Sequence, residues 1–325
     1  MTGRDDYFCF SSPGTFCGVP AATLDDLGNA AAVIVGAPFD WGTTARPGAR
    51  FGPKAIREGD YLGQDGTRPH LDSGIDALRE LGVIDIGDVE MPPGYIEAGL
   101  DRITAVVERI AGAGAVPIVL GGDHTVTFAD ATGVARARGD GTFALVHFDA
   151  HADTGETHYG MLHGHGTPMR RLVESGAVPG HRFVQVGLRG YWPPPQVLEW
   201  MREQQMRAFP MRDIVDRGLE TVVDEAVALA SNGADGVFLS IDIDVVDPSA
   251  APATGTPEPG GLTARELLDT VNRLGRELDI VGADLVEVAP IYDGPGEITA
   301  RLANRVVLEL LDGIAMRRRG SPPGA

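Results

Sequence analysis

Eight apolar runs recur along the chain, at residues 31–38, 81–89, 115–122, 143–150, 183–190, 206–211, 237–244 and 281–288. Most are continuous rather than alternating, the pattern of parallel strands covered on both faces. Stretches with helical spacing lie between many of them. In 95–112, Ile96, Leu100, Ile103, Val107 and Ile110 fall on one face, and 263–278 and 297–314 repeat the pattern. Strand and helix in alternation predict an α/β fold: a mostly parallel sheet of about eight strands with helices on both sides. No internal repeat or linker divides the sequence, so 1–325 reads as one domain, with an extended arm over 1–30 and a frayed tail over 315–325.

In open sheets of this kind, ligands bind beyond the carboxyl ends of the strands. Polar residues that directly follow an apolar run therefore carry the functional signal, and three clusters stand there. IVLGGDHTVT runs into Asp123 and His124, LVHFDAHADT carries Asp149, His151 and Asp153, and FLSIDIDVVDP carries Asp242 and Asp244. Extended backbone points side chains at i, i+2 and i+4 the same way, so each of the last two clusters aims its polar groups at one point. His124, Asp149, His151, Asp153, Asp242 and Asp244 together make four carboxylates and two imidazoles. Carboxylates that converge repel or protonate unless cations neutralise them, and two divalent ions would balance four. Oxygen-rich ligation with one imidazole per ion suits Mn(II), and the absence of thiolates argues against a structural zinc site. His147, further back in its strand, reads as a packed core histidine, and Asp123 as a loop hydrogen-bonding residue.

Composition narrows the partners. A formal charge of −19 argues against nucleic acid, which needs a basic face, and fits a cationic substrate better than an anionic one. No run of 18 apolar residues is present, so no membrane span is expected, and MTGRDDYFCF lacks the basic-then-apolar pattern of a secretory signal. The two cysteines, Cys9 and Cys17, match no zinc spacing and read as free thiols, in line with a cytoplasmic location.

The sequence resembles the ureohydrolases: arginases, agmatinases and guanidino-acid hydrolases. GGDH, FDAHAD and SIDIDVVDPSAAPATGTPEPGGL are similar to the family's three signature blocks, and ARPGARFGPKAIRE, HGTPMRRLVESG, VQVGLRG and DLVEVAP extend the likeness from about residue 30 to 312. The resemblance implies a three-layer αβα fold, a binuclear manganese centre (with nickel or another divalent ion as alternatives), and a trimer or hexamer of identical chains. It places the six residues above as ligands, with Asp149 and Asp242 bridging. It matches His165, followed by Gly-Thr-Pro, to the proton-shuttling histidine, with His163 a rival, and Glu287 to the acid that pairs with the substrate guanidinium. Two metals would lower the pKa of a shared water. Glu287 would grip the planar cation through a two-pronged contact. Asp153 or His165 would protonate the departing amine.

The segment after Asp153, TGETHYGMLHG, lacks the Asn and Ser that arginases use for the substrate α-carboxylate, so arginine is not the expected substrate. If Arg46 and Arg50 serve structural roles, Glu156 is the charge left to meet the substrate tail. Agmatine, yielding putrescine and urea, is then expected over guanidinobutyrate or guanidinopropionate. An arginine facing the pocket would reverse that order. The other readings are an inactive metal-binding regulatory homologue, which should have lost a ligand, His165 or Glu287, and a single-zinc deacetylase, which would not need the His124 cluster.

Overall fold

The computed structural model describes residues 14–62 and 66–320. Each apolar run yields a strand: β1 Ala32–Gly36, β2 Ile84–Asp88, β3 Val116–Leu120, β4 Ala144–Phe148, β5 Phe183–Val186, β6 Arg207–Phe209, β7 Val237–Asp242 and β8 Ile280–Val286. They form one sheet in the order β2-β1-β3-β8-β7-β4-β5-β6. Every neighbouring pair is parallel.

The strands alternate faces with the two-residue period of extended backbone. Ile34, Ile118, Val146 and Leu239 enter one apolar layer, beneath the helices Leu219–Ala230, Ala264–Glu277 and Ile298–Arg318. Val33, Val119, Leu145 and Phe238 enter the other, beneath Ile96–Gly112, Val126–Arg138 and Pro168–Ser175. The fold is thus a three-layer αβα sandwich, which explains the continuous apolar runs: a strand in the middle layer shows both of its faces to core. Local signals start the helices. Thr263 accepts from the Glu266 amide, and the Glu266 carboxylate accepts from the Thr263 amide, a reciprocal cap that begins Ala264–Glu277.

Two expectations about the chain ends need correction. The arm is not free along its length: Phe16 and Cys17 are fully buried, and the Phe16 amide donates to Asp85 Oδ2 at 2.8 Å. Apolar Phe16 joins the buried cluster that also holds Ile56, beside the Arg57–Asp85 ion pair, which a hydropathy reading of a Gly/Pro-rich segment does not reveal. Cys9 lies outside the described residues. At the other end, the helix Ile298–Arg318 continues past residue 315, because Ile314 and Ala315 are buried and hold its last turns. Among the described residues, no helix is long and apolar enough to cross a membrane.

Candidate metal centre and active site

The three clusters end β3, β4 and β7, and Glu287 follows β8. Those are the four central strands of the sheet, in the spatial order β3-β8-β7-β4. Residues 163 positions apart in sequence, such as His124 and Glu287, therefore meet at one sheet edge. Gly122 makes the approach possible, since a Cβ there would sit 1.7 Å from the Phe39 carbonyl. Through that gap Asp123 N donates to Phe39 O at 2.7 Å and Glu287 N to Gly122 O at 2.8 Å.

All six expected ligands come together. His124 Nδ1 lies 3.0 Å from Asp149 Oδ2, 3.1 Å from Asp153 Oδ2 and 3.1 Å from Asp242 Oδ2. His151 Nδ1 lies 3.0 Å from Asp244 Oδ2 and 3.5 Å from Asp149 Oδ1. Asp149 thus turns one oxygen to each imidazole. Asp242 Oδ1 accepts from the Asp244 amide at 2.8 Å, while Asp242 Oδ2 faces His124 Nδ1.

Three oxygens within 3.1 Å of one nitrogen must lie within about 6 Å of one another. At an effective dielectric of 20, each such pair of charges costs about 3 kcal/mol. Three pairs cost roughly as much as a whole domain's net stability. The titration behaviour reports the same crowding. Burial and the neighbouring Asp149 push the Asp244 carboxyl up to about 6. Burial opposes charge on His151, yet Asp244 and Asp149 push it up to about 12. Burial likewise opposes charge on His124, but Asp149, Asp153 and Asp242 hold it well above the usual range. A cluster that grips protons this strongly is built for cations. Buried His124 Nδ1 has no hydrogen-bond partner, and its other nitrogen, Nε2, is engaged by Ser240 Oγ at 3.0 Å. An imidazole held by one nitrogen, with the other facing three carboxylates, is a metal ligand's posture. These residues fit a pair of divalent ions.

His147 does more than pack. Its Nδ1 accepts from Gln185 Nε2 at 2.8 Å, so Nε2 carries the hydrogen and donates to Asp149 Oδ2 at 2.8 Å. Its position two residues before Asp149 was the available signal, but the partner on neighbouring β5 was not. Asp123 fits its expected part, accepting from Gly42 N at 2.8 Å and Thr43 Oγ1 at 3.3 Å. Gly42 O in turn accepts from the His165 amide at 3.1 Å.

His165 and Glu287 form a pair beside the acid cluster. His165 Nδ1 lies 3.0 Å from Glu287 Oε1, and its Nε2 is 2.7 Å from Thr44 Oγ1 and 3.2 Å from the Thr44 amide. Burial disfavours a charged His165, but Glu287 pushes it up to about 9. Glu287 Oε1 also accepts from His124 N at 3.0 Å, whereas buried Oε2 has no partner. The expected two-pronged grip on a guanidinium is therefore reduced to Oε2, because both lone pairs of Oε1 are in use. Asp153 and Glu287 both adopt left-handed backbone, at φ 51° and 64°. Such strain costs about 1–3 kcal/mol per residue and gathers at functional sites.

A cavity of about 200 Å³ opens on this edge, lined by Thr44, His151, Asp153, His158, His165, Gly166, Trp192, Asp242 and Thr256. The expected tail contacts are elsewhere. Arg46 donates to Thr254 O at 2.5 Å and covers the Tyr292 ring, and Arg50 pairs with buried Asp40. Glu156 is exposed and outside the lining, since the chain turns it outward and brings His158 in. His158 stacks on His165 with centroids 5.7 Å apart, and burial with the His165 charge lowers its pKa. His163, the rival to His165, stacks instead on Phe128. Thr44, Trp192 and Thr256 gave no signal in the sequence.

A parallel αβα sandwich with an acid–imidazole cluster at its central strand ends defines an α/β protein with a site for divalent cations. Comparison with known proteins places it more closely. The model of the Arginase family matches residues 30–312. The chain is 39% identical to the mitochondrial agmatinase of Gallus gallus over 86% of this chain and 80% of that one. It is 38% identical to the guanidinopropionase of Pseudomonas aeruginosa over 93% and 92%. The solved structure of proclavaminate amidino hydrolase from Streptomyces clavuligerus superposes with a TM-score of 0.84 at 36% identity, covering 93% of this chain and 97% of that one. The chain belongs to the arginase family and is a hydrolase of its agmatinase-like branch.

Proposed function

We propose that this hydrolase cleaves a guanidino compound to urea and an amine, and that agmatine is its preferred substrate. The observation that carries the reading is Glu287 Oε2, a buried carboxylate oxygen without a partner beside His165. A buried anionic acceptor needs a cationic donor, and a guanidinium N–H is the matching group. Two cations, of which Mn(II) suits the donors best, would be held by His124, Asp149, His151, Asp153, Asp242 and Asp244. When bound, they would activate water as a nucleophile at neutral pH.

The chain's own residues do the rest. Glu287 Oε2 orients the guanidinium and fixes its carbon toward the acid cluster. Water adds to that carbon, and the C–N bond breaks once the departing nitrogen gains a proton. His165 holds a proton at neutral pH on Nδ1, beside Glu287 Oε1, because its Nε2 accepts from the Thr44 amide, and it is placed to pass that proton on. Asp153, also in the cavity wall, can take up the proton that water loses.

The substrate tail meets Trp192 and His158, and none of the lining residues is lysine or arginine. With Arg46 and Arg50 engaged elsewhere, no arginine or lysine in the lining rewards a carboxylate tail, which supports agmatine over guanidinobutyrate. Glu156 is exposed outside the cavity and does not meet the tail. The test is kcat/KM for agmatine, guanidinobutyrate and arginine on the manganese-loaded enzyme, read as urea release. We expect agmatine first and arginine last. A clear preference for the acid would overturn the agmatine assignment, and no urea from any guanidine would overturn the reaction.

A further inference from the structure

Behind His124, away from the cavity, lies a second acidic pair that the reaction does not use. Asp284 on β8 stands in register with Ser240 on β7, and Ser240 Oγ donates to Asp284 Oδ1 at 2.8 Å. The same hydroxyl lies 3.0 Å from His124 Nε2. Since its own hydrogen goes to Asp284, Ser240 Oγ accepts from His124 Nε2–H. Asp130, from the helix Val126–Arg138, meets Asp284 from the other side, and their carboxyl groups are in hydrogen-bond contact. Both residues are buried, at 0% and 1% exposure. Asp130 Oδ1 accepts from the Ala131 amide, whereas Asp130 Oδ2 and Asp284 Oδ2 have no other partner.

Two ionised carboxylates in contact at this burial would repel each other, and the positive charge that acts on them, on His124, lies beyond Ser240 Oγ. One proton between the unpartnered oxygens satisfies both atoms at once. The proton resides on Asp130, because Asp284 accepts from Ser240. Burial and the Asp284 charge hold the Asp130 carboxyl well above the usual range, in agreement.

We propose that Asp130 and Asp284 share one proton, and that this pair acts through Ser240 as the positioning chain that fixes the His124 imidazole with Nδ1 facing the acid cluster. The shared proton stands on the buried, unpartnered oxygens of the two carboxyl groups, whereas its effect on cation binding rests on the proposed metal centre. Outer partners of metal-ligating histidines set the ring's tautomer and angle, and their removal typically costs about 10–100-fold in metal affinity. Asp130 and Asp284 touch no substrate and are positioning residues.

The experiment is infrared spectroscopy of the manganese-loaded protein at neutral pH, together with manganese titration. Wild type should show the carbonyl stretch of a neutral carboxylic acid, and Asp130→Asn should lose it. The amide N–H of the new side chain can donate to Asp284 in place of the proton, so manganese affinity should stay within about threefold of wild type. Ser240→Ala should keep the band but weaken manganese binding by about 10–100-fold. A wild type without the band, or a band that survives in Asp130→Asn, overturns the shared proton. Wild-type affinity in Ser240→Ala overturns the link to His124. A wild type that binds no manganese overturns the metal-centre reading and with it the positioning role, while the band still decides the proton.

Discussion

His124 Nδ1 lies 3.0 Å from Asp149 Oδ2, although the two residues follow β3 and β4, which are separated in the sheet by β8 and β7. Asp149 Oδ1 reaches toward His151 as well, so a single carboxylate spans the cluster. Asp149→Asn keeps the shape and removes that charge. The wild-type protein should carry about two divalent ions per chain after manganese loading, and the variant fewer than one, with urea release lost in parallel. Elemental analysis checks it, and one zinc per chain in the active wild type would refute the two-ion centre.

Cation binding should depend steeply on pH. In the cation-free protein His151 is pushed up to about 12 and His124 is held well above its ordinary value, so both carry protons at neutral pH. A cation must displace those protons, and affinity rises with pH by about one decade per unit for each proton released. Below pH 6 the Asp244 carboxyl, pushed up to about 6, adds another proton to displace, and the slope should steepen. Manganese titration calorimetry in two buffers of different ionisation enthalpy counts the protons. An affinity flat between pH 6 and 8 would contradict the assignment.

His165→Ala should lower kcat by roughly 10²–10⁴ and leave cation content unchanged, since His165 touches Glu287 and Thr44 but none of the six ligands. His163→Ala should have a far smaller effect, because that ring stacks on Phe128 away from the cavity. Steady-state kinetics beside metal analysis separates the two, and the reverse ranking would reassign the shuttle.

Arg57 is the test of the buried amino-terminal segment. It donates to Asp85 from Nε at 2.8 Å and from Nη2 at 3.0 Å, and both side chains are buried. Asp85 Oδ2 also accepts from the Phe16 amide. Arg57→Ala leaves that charge buried and unpaired, which costs about 3–5 kcal/mol. Denaturant melts should show the loss at pH 7. A change under about 1 kcal/mol would mean that water reaches Asp85 in the folded protein.

The sequence by itself determined the layers and the acid–imidazole cluster that supplies the candidate ligands. Apolar runs of β-strand length are a local property, and burial on both faces writes itself into every residue of a middle-layer strand. The polar residues that end those runs are equally local, so Asp149, His151, Asp153, Asp242 and Asp244 could be picked out by two-residue spacing alone. What the sequence did not contain was the order of the strands. Order depends on which helices cross which face, and it brings β8 between β3 and β7 so that Glu287, Ser240 and Asp284 surround His124. It also decided the pocket wall: Glu156 and His158 are two residues apart on an irregular loop, and only packing against His165 brings the histidine in. Arg46 and Arg50 were settled the same way, by the carbonyl and carboxylate that tertiary contacts bring to them. Strand pattern is carried by residues near in sequence, whereas hydrogen-bond partners of polar side chains are supplied by residues far away in it. That difference is why the cluster was legible and its supports were not.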